Sequence, residues 1–428
     1  MKMTPVREKL SHIAQGLSPT SVAPFRQILP DRVIAAWLKE SGHSWRDRVY
    51  TPLIVFWAMV VQTVDEDHSC AGAVTNVIEW LSSRKAPGQR RNRKVPEASP
   101  ITGSYCRARA RLPLELICAM ARRVASDFTA IVPAGNRLWN RDIYLMDATT
   151  VSMPDTPELT QEFGKHHGGK NKTPFPFPIA RLVALVSLTS GAVMDMAIGA
   201  YKTSEHALLE NLWKGAPWLR GAILVGDSLY GSFAQLALMQ ARGVDMISRP
   251  RGTRDLDMRR GKRLGKGQRL VQWQRPKKRP PWLSEVDQLP ENLTLRLIEV
   301  TSLRRGHRPK RLILVTTLLD PELYPAEQIA ALYLKRWEIE IDFRHLKSTM
   351  GMDVMAGKSP DIVRKEIWSF VLGYNLVRRV TWEAGVSHDF PPSGLEFQRD
   401  APVVAYLSGP NRMRTDLAIG SETMDSDA

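Results

Sequence analysis

Gly221-Ala-Ile-Leu-Val-Gly-Asp227, then Gly231 to Arg242, then Val244 to Ser248 make up the stretch on which the fold turns. The first is an apolar run closing on an acid, as a buried strand does where it reaches water. The second has helical periodicity and is stopped by Gly243. The third is a further short strand. Working outward, Ile143-Tyr-Leu-Met-Asp147 repeats the pattern of an apolar strand ending in an acid. Ala180 to Thr189 and Ala192 to Tyr201 flank Ser190-Gly191 and read as a hairpin. Thr203 or Ser204 caps the helix beyond it. The order β-β-β-α-β-α-β predicts an α/β domain with a mixed sheet.

Toward the C-terminus, Leu293 to Val300 and Arg311 to Leu319 are strand-like and read as a β-rich insertion. Tyr324-Pro325 opens one long predicted helix, Ala326 to Met350, stopped by Gly351, and Val363 to Val380 forms another. Toward the N-terminus the period is helical. Asp31 is placed as the N-cap of a helix over Asp31 to Glu40, with an apolar face of Val33, Trp37 and Leu38. Thr51 to Leu81 predicts a pair of buried helices, and Ser104 to Ala130 a further helical stretch.

The 428 residues carry 60 Lys and Arg against 44 Asp and Glu, a net charge of +16. Such a balance points to a polyanionic partner. No apolar run approaches the ~20 residues that span a bilayer, so a membrane protein is not expected. Neither a secretory signal nor a disulfide framework is expected, and Cys70, Cys106 and Cys118 suit a reducing cytoplasm. The positive charge is concentrated: Arg249 to Arg279 holds thirteen basic residues and two acids, with Trp273 and Trp282 inside or beside it. Cations interleaved with aromatic faces suit phosphate gripping and base stacking, and DNA contact is favoured there. For Arg84 to Lys94, with six basic residues, a solvated loop describes the run equally well. His166-His167 reads as part of a Gly/Lys-rich loop.

Three acids stand out by position. Asp147 and Asp227 end apolar strands, where ligands bind in open α/β sheets, although for either alone a cap or turn role is the commoner one. On the predicted helix at ~100° per residue, Tyr333, Arg336, Glu340 and Lys347 share one face and Arg344 joins it. Leu334, Trp337 and Ile341 form an adjacent ridge expected to pack on the sheet, while Lys335, Glu338 and Asp342 point to solvent. An exposed salt-bridge ladder fits that spacing equally well. Taken together, Asp147, Asp227 and Glu340 would hold two Mg²⁺ ions about 3.5–4 Å apart, with Mn²⁺ able to substitute, in a site for phosphoryl transfer. No H-E-x-x-H, G-x-S-x-G, Walker or Rossmann fingerprint offers another chemistry.

The run Tyr333-Leu-Lys-Arg336-Trp-Glu-Ile-Glu340-Ile-Asp-Phe-Arg-His-Leu-Lys347 is Y-x2-R-x3-E-x6-K. It resembles the signature of the cut-and-paste DDE transposases of insertion-sequence family four. The resemblance implies an RNase H-like mixed sheet flanked by helices, interrupted by a β-rich insertion, behind an N-terminal helical DNA-binding domain. The implied divisions are 1–135, 136–248, 249–320, 321–385 and an irregular tail over 386–428. Asp147, Asp227 and Glu340 would be the metal-binding catalytic triad. Tyr333, Arg336 and Lys347 would contact DNA near the cleaved end, and Trp273 or Trp282 would stack on a flipped base. Terminal inverted repeats and target DNA are the implied partners of a homodimer on double-stranded DNA. Rival readings are an RNase H-like nuclease that cuts without joining and a DNA-binding product of a decayed element.

Overall fold

In the computed structural model, residues 22–45, 48–83, 98–133, 137–167, 174–214, 216–251, 256–283, 288–302 and 310–387 are described. The basic run Arg84 to Lys94 and the tail beyond 387 lie outside them. Six helices come first: α1 (Ala23–Ile28), α2 (Asp31–Glu40), α3 (Pro52–Val64), α4 (Cys70–Ser83), α5 (Gly103–Arg111) and α6 (Leu114–Ile131). The helical stretch expected over 104–130 is two helices, because Pro113 cannot continue the first and instead caps the second. Asp31 sits one residue inside α2, after Pro30 as N-cap, and its Oδ1 accepts a 2.8 Å hydrogen bond from the Trp57 indole of α3.

The sheet is built from β1 (Ile143–Ser152), β2 (Lys165–His167), β3 (Pro174–Ser187), β4 (Val193–Ala200), β5 (Ile223–Gly226), β6 (Asp245–Ser248), β7 (Lys262–Gly265), β8 (Gln268–Gln274), β9 (Asn292–Ser302) and β10 (Lys310–Thr316). Between them lie α7 (Pro157–Phe163), α8 (Glu205–Lys214) and α9 (Phe233–Ala241). The predicted hairpin is present, with Gly191 at φ +68° in its turn. The strand order is β2-β3-β1-β5-β6-β10-β9-β8-β7, with β4 also on β3. β1 runs parallel to β5 and β5 to β6, while β3 and β10 join antiparallel. The insertion strands therefore extend the central sheet: β10 pairs with β6, at Val315 with Ser248 and Thr316 with Ile247. His166 and His167 belong to β2 rather than a loop, and His166 stacks on Phe175 at 5.4 Å.

Side chains alternate along β1 as the pleat demands. Ile143, Leu145 and Val151 enter one buried cluster, Tyr144 and Met146 the other. The first cluster takes in the N-terminal helices together with α10 (Ala326–Leu334), α11 (Trp337–Arg344) and α12 (Pro360–Ser387). Among the described residues no helix is long and apolar enough to cross a membrane.

Two polar ties cross this cluster. Asn375 of α12, fully buried, donates to the carbonyls of Ala121 (3.3 Å) and Val193 (2.9 Å) and accepts from the Val193 N–H at 2.8 Å. Arg109 of α5 pairs with Glu366 of α12 at 2.7 Å, and the other Glu366 oxygen accepts from the amides of Ala356 and Gly357. Both side chains are nearly closed to water, at 5% and 11% exposure. Glu366→Ala strands a buried guanidinium and two amides, and its expected cost is about 3–5 kcal/mol. Thermal or denaturant unfolding measures this; a loss below 1 kcal/mol contradicts the assignment.

Candidate active site

Asp147 and Asp227 are brought together by strand register. Met146 lies opposite Gly226 on parallel β1 and β5, so the next residue of each strand is an aspartate at the same level. Asp147 was expected to end its strand. Instead β1 continues to Ser152 along β3, and it is β5 that stops, opening the edge beside Asp147. Asp147 Oδ1 accepts from the Ala148 amide, and Asp227 Oδ1 from the Leu229 amide, each at 2.8 Å. The turn after Asp227 is held from below, with the Ser248 hydroxyl donating to the Asp227 carbonyl. Gly231 closes this turn against β6. A Cβ there would lie 1.8 Å from the Arg249 carbonyl oxygen, so no other residue fits without moving backbone.

The third element departs from the expected single helix. After α10 the amides of Lys335, Arg336, Glu338 and Ile339 each bond three residues back rather than four. Such tightened turns advance about 20° more per residue than an α-helix, and four of them rotate the next helix by roughly 80°. The packed face is the opposite of the expected one: Ile329, Leu332, Ile339, Phe343 and Leu346, which share a side at 100° per residue, are the residues that are buried. Leu334, Trp337 and Ile341 are exposed at 45%, 50% and 43%, whereas Ile339, Asp342 and Phe343 are buried. Asp342, expected in solvent, accepts from the Tyr374 hydroxyl at 2.8 Å, and burial pushes its pKa up to about 6. A π-helical turn over His345–Thr349 then carries the chain to Gly351.

Arg336 and Glu340 flank that packed face and lie toward β1. A single nitrogen of Arg336, Nη1, contacts Asp147 Oδ2 at 3.3 Å and Glu340 Oε1 at 3.2 Å. Tyr333, at the end of α10, is buried beside Arg336, and burial is the main reason its hydroxyl titrates above the usual range. Burial also lifts the Asp147 carboxyl to about 6. The Ala148 amide and Arg336 oppose the shift, and the charges of Asp227 and Glu340 add to it.

Of the nine residues singled out from the sequence, Asp147, Asp227, Glu340, Tyr333 and Arg336 meet at this edge. Lys347 lies two turns beyond Glu340, half-buried in the π turn, and Arg344 is exposed at the end of α11. Trp273 does not offer a face to a base: its ring is 7% exposed and fills the second buried cluster. Trp282 is half-buried and stacks on His206, with centroids 4.6 Å apart. Two neighbours escaped the sequence reading. Arg249 is exposed and lies near Tyr333, and Tyr230, fully buried, donates to Glu205 at 3.0 Å close to both aspartates. Arg249 was one cation among thirteen, and nothing in a lone Tyr230 signals its place.

The donors here are carboxylate oxygens only, which suits a hard divalent cation, and a cation already bridges two of them as the guanidinium of Arg336. The residues thus fit such an ion in kind. Among the described residues no group of three or more His, Cys, Asp or Glu side chains is gathered closely enough to hold one.

Residues 138–376 match the family described as Transposase DDE domain. The chain is 28% identical over 384 residues to the transposase InsG of insertion sequence element IS4 from Escherichia coli K12, covering 86% of this chain and 80% of that protein. It is 22% identical over 320 residues to the putative transposase y4zB of Sinorhizobium fredii, covering 72% and 80% respectively. A shorter match, 35% over 80 residues, links it to the transposase of element IS421 from Escherichia coli, over 21% of that protein. Among solved structures, a cryo-EM structure of the piggyBac transposase synaptic complex with hairpin DNA overlaps 91% of this chain and 80% of that one. Its TM-score is 0.44 at 10% identity.

A carboxyl titrating near 6 when folded and near 3.8 when unfolded favours the folded state fully below pH 3.8 and loses that advantage as pH rises through 6. In metal-free buffer Asp147→Asn is therefore expected to melt above the unsubstituted chain at pH 7.5, by up to roughly 3 kcal/mol. The difference should shrink as the pH is lowered through 6 toward 4. Melting curves over that range read it out, and a difference independent of pH contradicts the assigned environment.

Proposed function

This chain belongs to the DDE transposases of insertion-sequence family four, and on that premise we propose that it excises and inserts its element by cut-and-paste transposition. A transposase DDE domain makes it an enzyme that cleaves and transfers DNA strands. The observation that carries the finer reading is that Asp147 and Glu340 share Arg336, while strand register sets Asp227 beside Asp147, the helix lying 113 residues beyond that strand. The strand order β4-β3-β1-β5-β6, antiparallel on one side of β1 and parallel on the other, supports an RNase H-like core.

DDE domains work with divalent metal ions; here Mg²⁺ is the proposed ion, two per site, with Mn²⁺ able to replace it. Bound to the three carboxylates, the metals would supply Lewis-acid activation for in-line phosphoryl transfer. Asp147 and Asp227, fixed by the Ala148 and Leu229 amides, present their free oxygens on one edge. Glu340 reaches that edge from α11. Arg336, Tyr333, Lys347 and Arg344 would position the phosphates flanking the scissile bond, because a planar guanidinium matches phosphate oxygens in a fork. Of the two tryptophans proposed to stack on a flipped base, Trp282 keeps part of its ring accessible and is the better placed. The N-terminal helices and the basic extension of the sheet would bind the terminal inverted repeats, one subunit of a homodimer per end, in the cytoplasm beside the nucleoid.

An assay with Mg²⁺ and DNA carrying the element's ends tests this. Joined products support transposition. Nicks without joining indicate a nuclease, and a gel shift without cleavage indicates a DNA-binding remnant. Asp147→Asn, Asp227→Asn and Glu340→Gln are each expected to lower cleavage by at least roughly 10³-fold with end binding kept within a few-fold. Cleavage within tenfold of the unsubstituted chain in any of the three removes that residue from the triad.

A further inference from the structure

We propose that Arg336 is a tethered counter-cation, lodged between Asp147 and Glu340 until a divalent ion displaces it and frees it for a DNA phosphate. This rests on the reading of the three carboxylates as metal ligands. The two contacts through one nitrogen, 3.3 and 3.2 Å, allow those carboxylate oxygens to stand no more than about 6.5 Å apart. A shared Mg²⁺ at 2.0–2.1 Å from each ligand holds its oxygens within roughly 4 Å of one another. An ion that close to both oxygens would stand within about 5.4 Å of Arg336 Nη1, so two cations would compete for the same carboxylate charge. As the acids close on the ion, the guanidinium is driven out from between them.

Its seat is also an incomplete one. The side chain is only 12% exposed, yet Arg336 Nε is buried without a hydrogen-bond partner. A guanidinium whose donors are fully engaged is stable where it lies, whereas this one keeps an unused donor. Just outside, the exposed Trp337 ring lies 5.1 Å from the Arg336 guanidinium carbon. The cation can swing outward over that face without losing its aromatic contact. Without metal, Arg336 offsets the repulsion among the acids. With metal it becomes a fork for the phosphate arriving at the same edge. Metal binding and phosphate binding then strengthen each other, and by linkage metal affinity measures the strength of the arginine's hold.

The test is calorimetric titration of Mn²⁺ into the full DNA-free chain. Arg336→Gln removes the competitor and should lower the Mn²⁺ dissociation constant by roughly five- to hundredfold. Arg336→Lys, which keeps a positive charge able to sit between the acids, should lower it less, and it keeps the question answerable if the glutamine variant does not fold. Unchanged or weaker Mn²⁺ binding in the folded variants overturns the proposal. Asp227→Asn separates the two levels: it should abolish tight binding in either Arg336 background. If Mn²⁺ binds as before, the metal reading itself is wrong and the arginine's role falls with it. A second signal needs no activity. Mg²⁺ should shift the Trp337 part of the emission, taken as the difference between the unsubstituted chain and Trp337→Phe, and that shift should be absent with Arg336→Gln.

Discussion

Three negative charges at one half-buried sheet edge repel one another, and the arrangement around them exists to tolerate that repulsion. Asp147 carries most of the strain, being buried beside Asp227 and Glu340, with its carboxyl held near 6. Two backbone amides and one guanidinium hold the group together. At a few ångströms, unit charges interact by several kcal/mol in a medium of intermediate dielectric, comparable to the net stability of a domain. The edge is therefore primed for positive charge, from a side chain, an ion or both in turn.

The elements delivering those charges explain how much was legible in the sequence. Ile143-Tyr-Leu-Met-Asp147 and Ala222-Ile-Leu-Val-Gly-Asp227 announce themselves, because a buried strand needs an uninterrupted apolar run and an acid marks where it meets water. The family signature at Tyr333, Arg336, Glu340 and Lys347 was equally plain. What escaped depends on geometry that composition does not encode. The helical stretch carries two apolar stripes on opposite sides; the one with Leu334, Trp337 and Ile341 faces outward, while Ile339, Phe343 and Leu346 pack inward with Asp342 beside them. Trp273 sits in a strongly basic segment that suggests a surface, but alternation along β8 points its ring inward. That β1 runs on past Asp147 results from its long pairing with β3, a partner 30 residues away that no local pattern reveals.

The insertion shows the same principle at larger scale. Its strands were readable, but their attachment was not, since β10 reaches the central sheet only by pairing with β6, more than 60 residues earlier. Because β6 to β10 are hydrogen-bonded in one sheet with β1 and β5, the described strands of the basic segment are continuous with those that carry the acids. The N-terminal helices are likewise bound to the core by Arg109–Glu366 and by a shared apolar interior.

Asn375 gives this economy a temporal side. One side chain late in the chain clasps Ala121 of a helix and Val193 of a strand, so the interior is sealed only when α12 arrives. At a synthesis rate of ~5–20 residues per second, the ribosome needs roughly ten to fifty seconds to pass from Asp147 to Asn375. For most of that interval the nascent polypeptide carries its first aspartate without the glutamate, and throughout it without the completed closing helix. A product cut short before Asn375 would lack this clasp altogether.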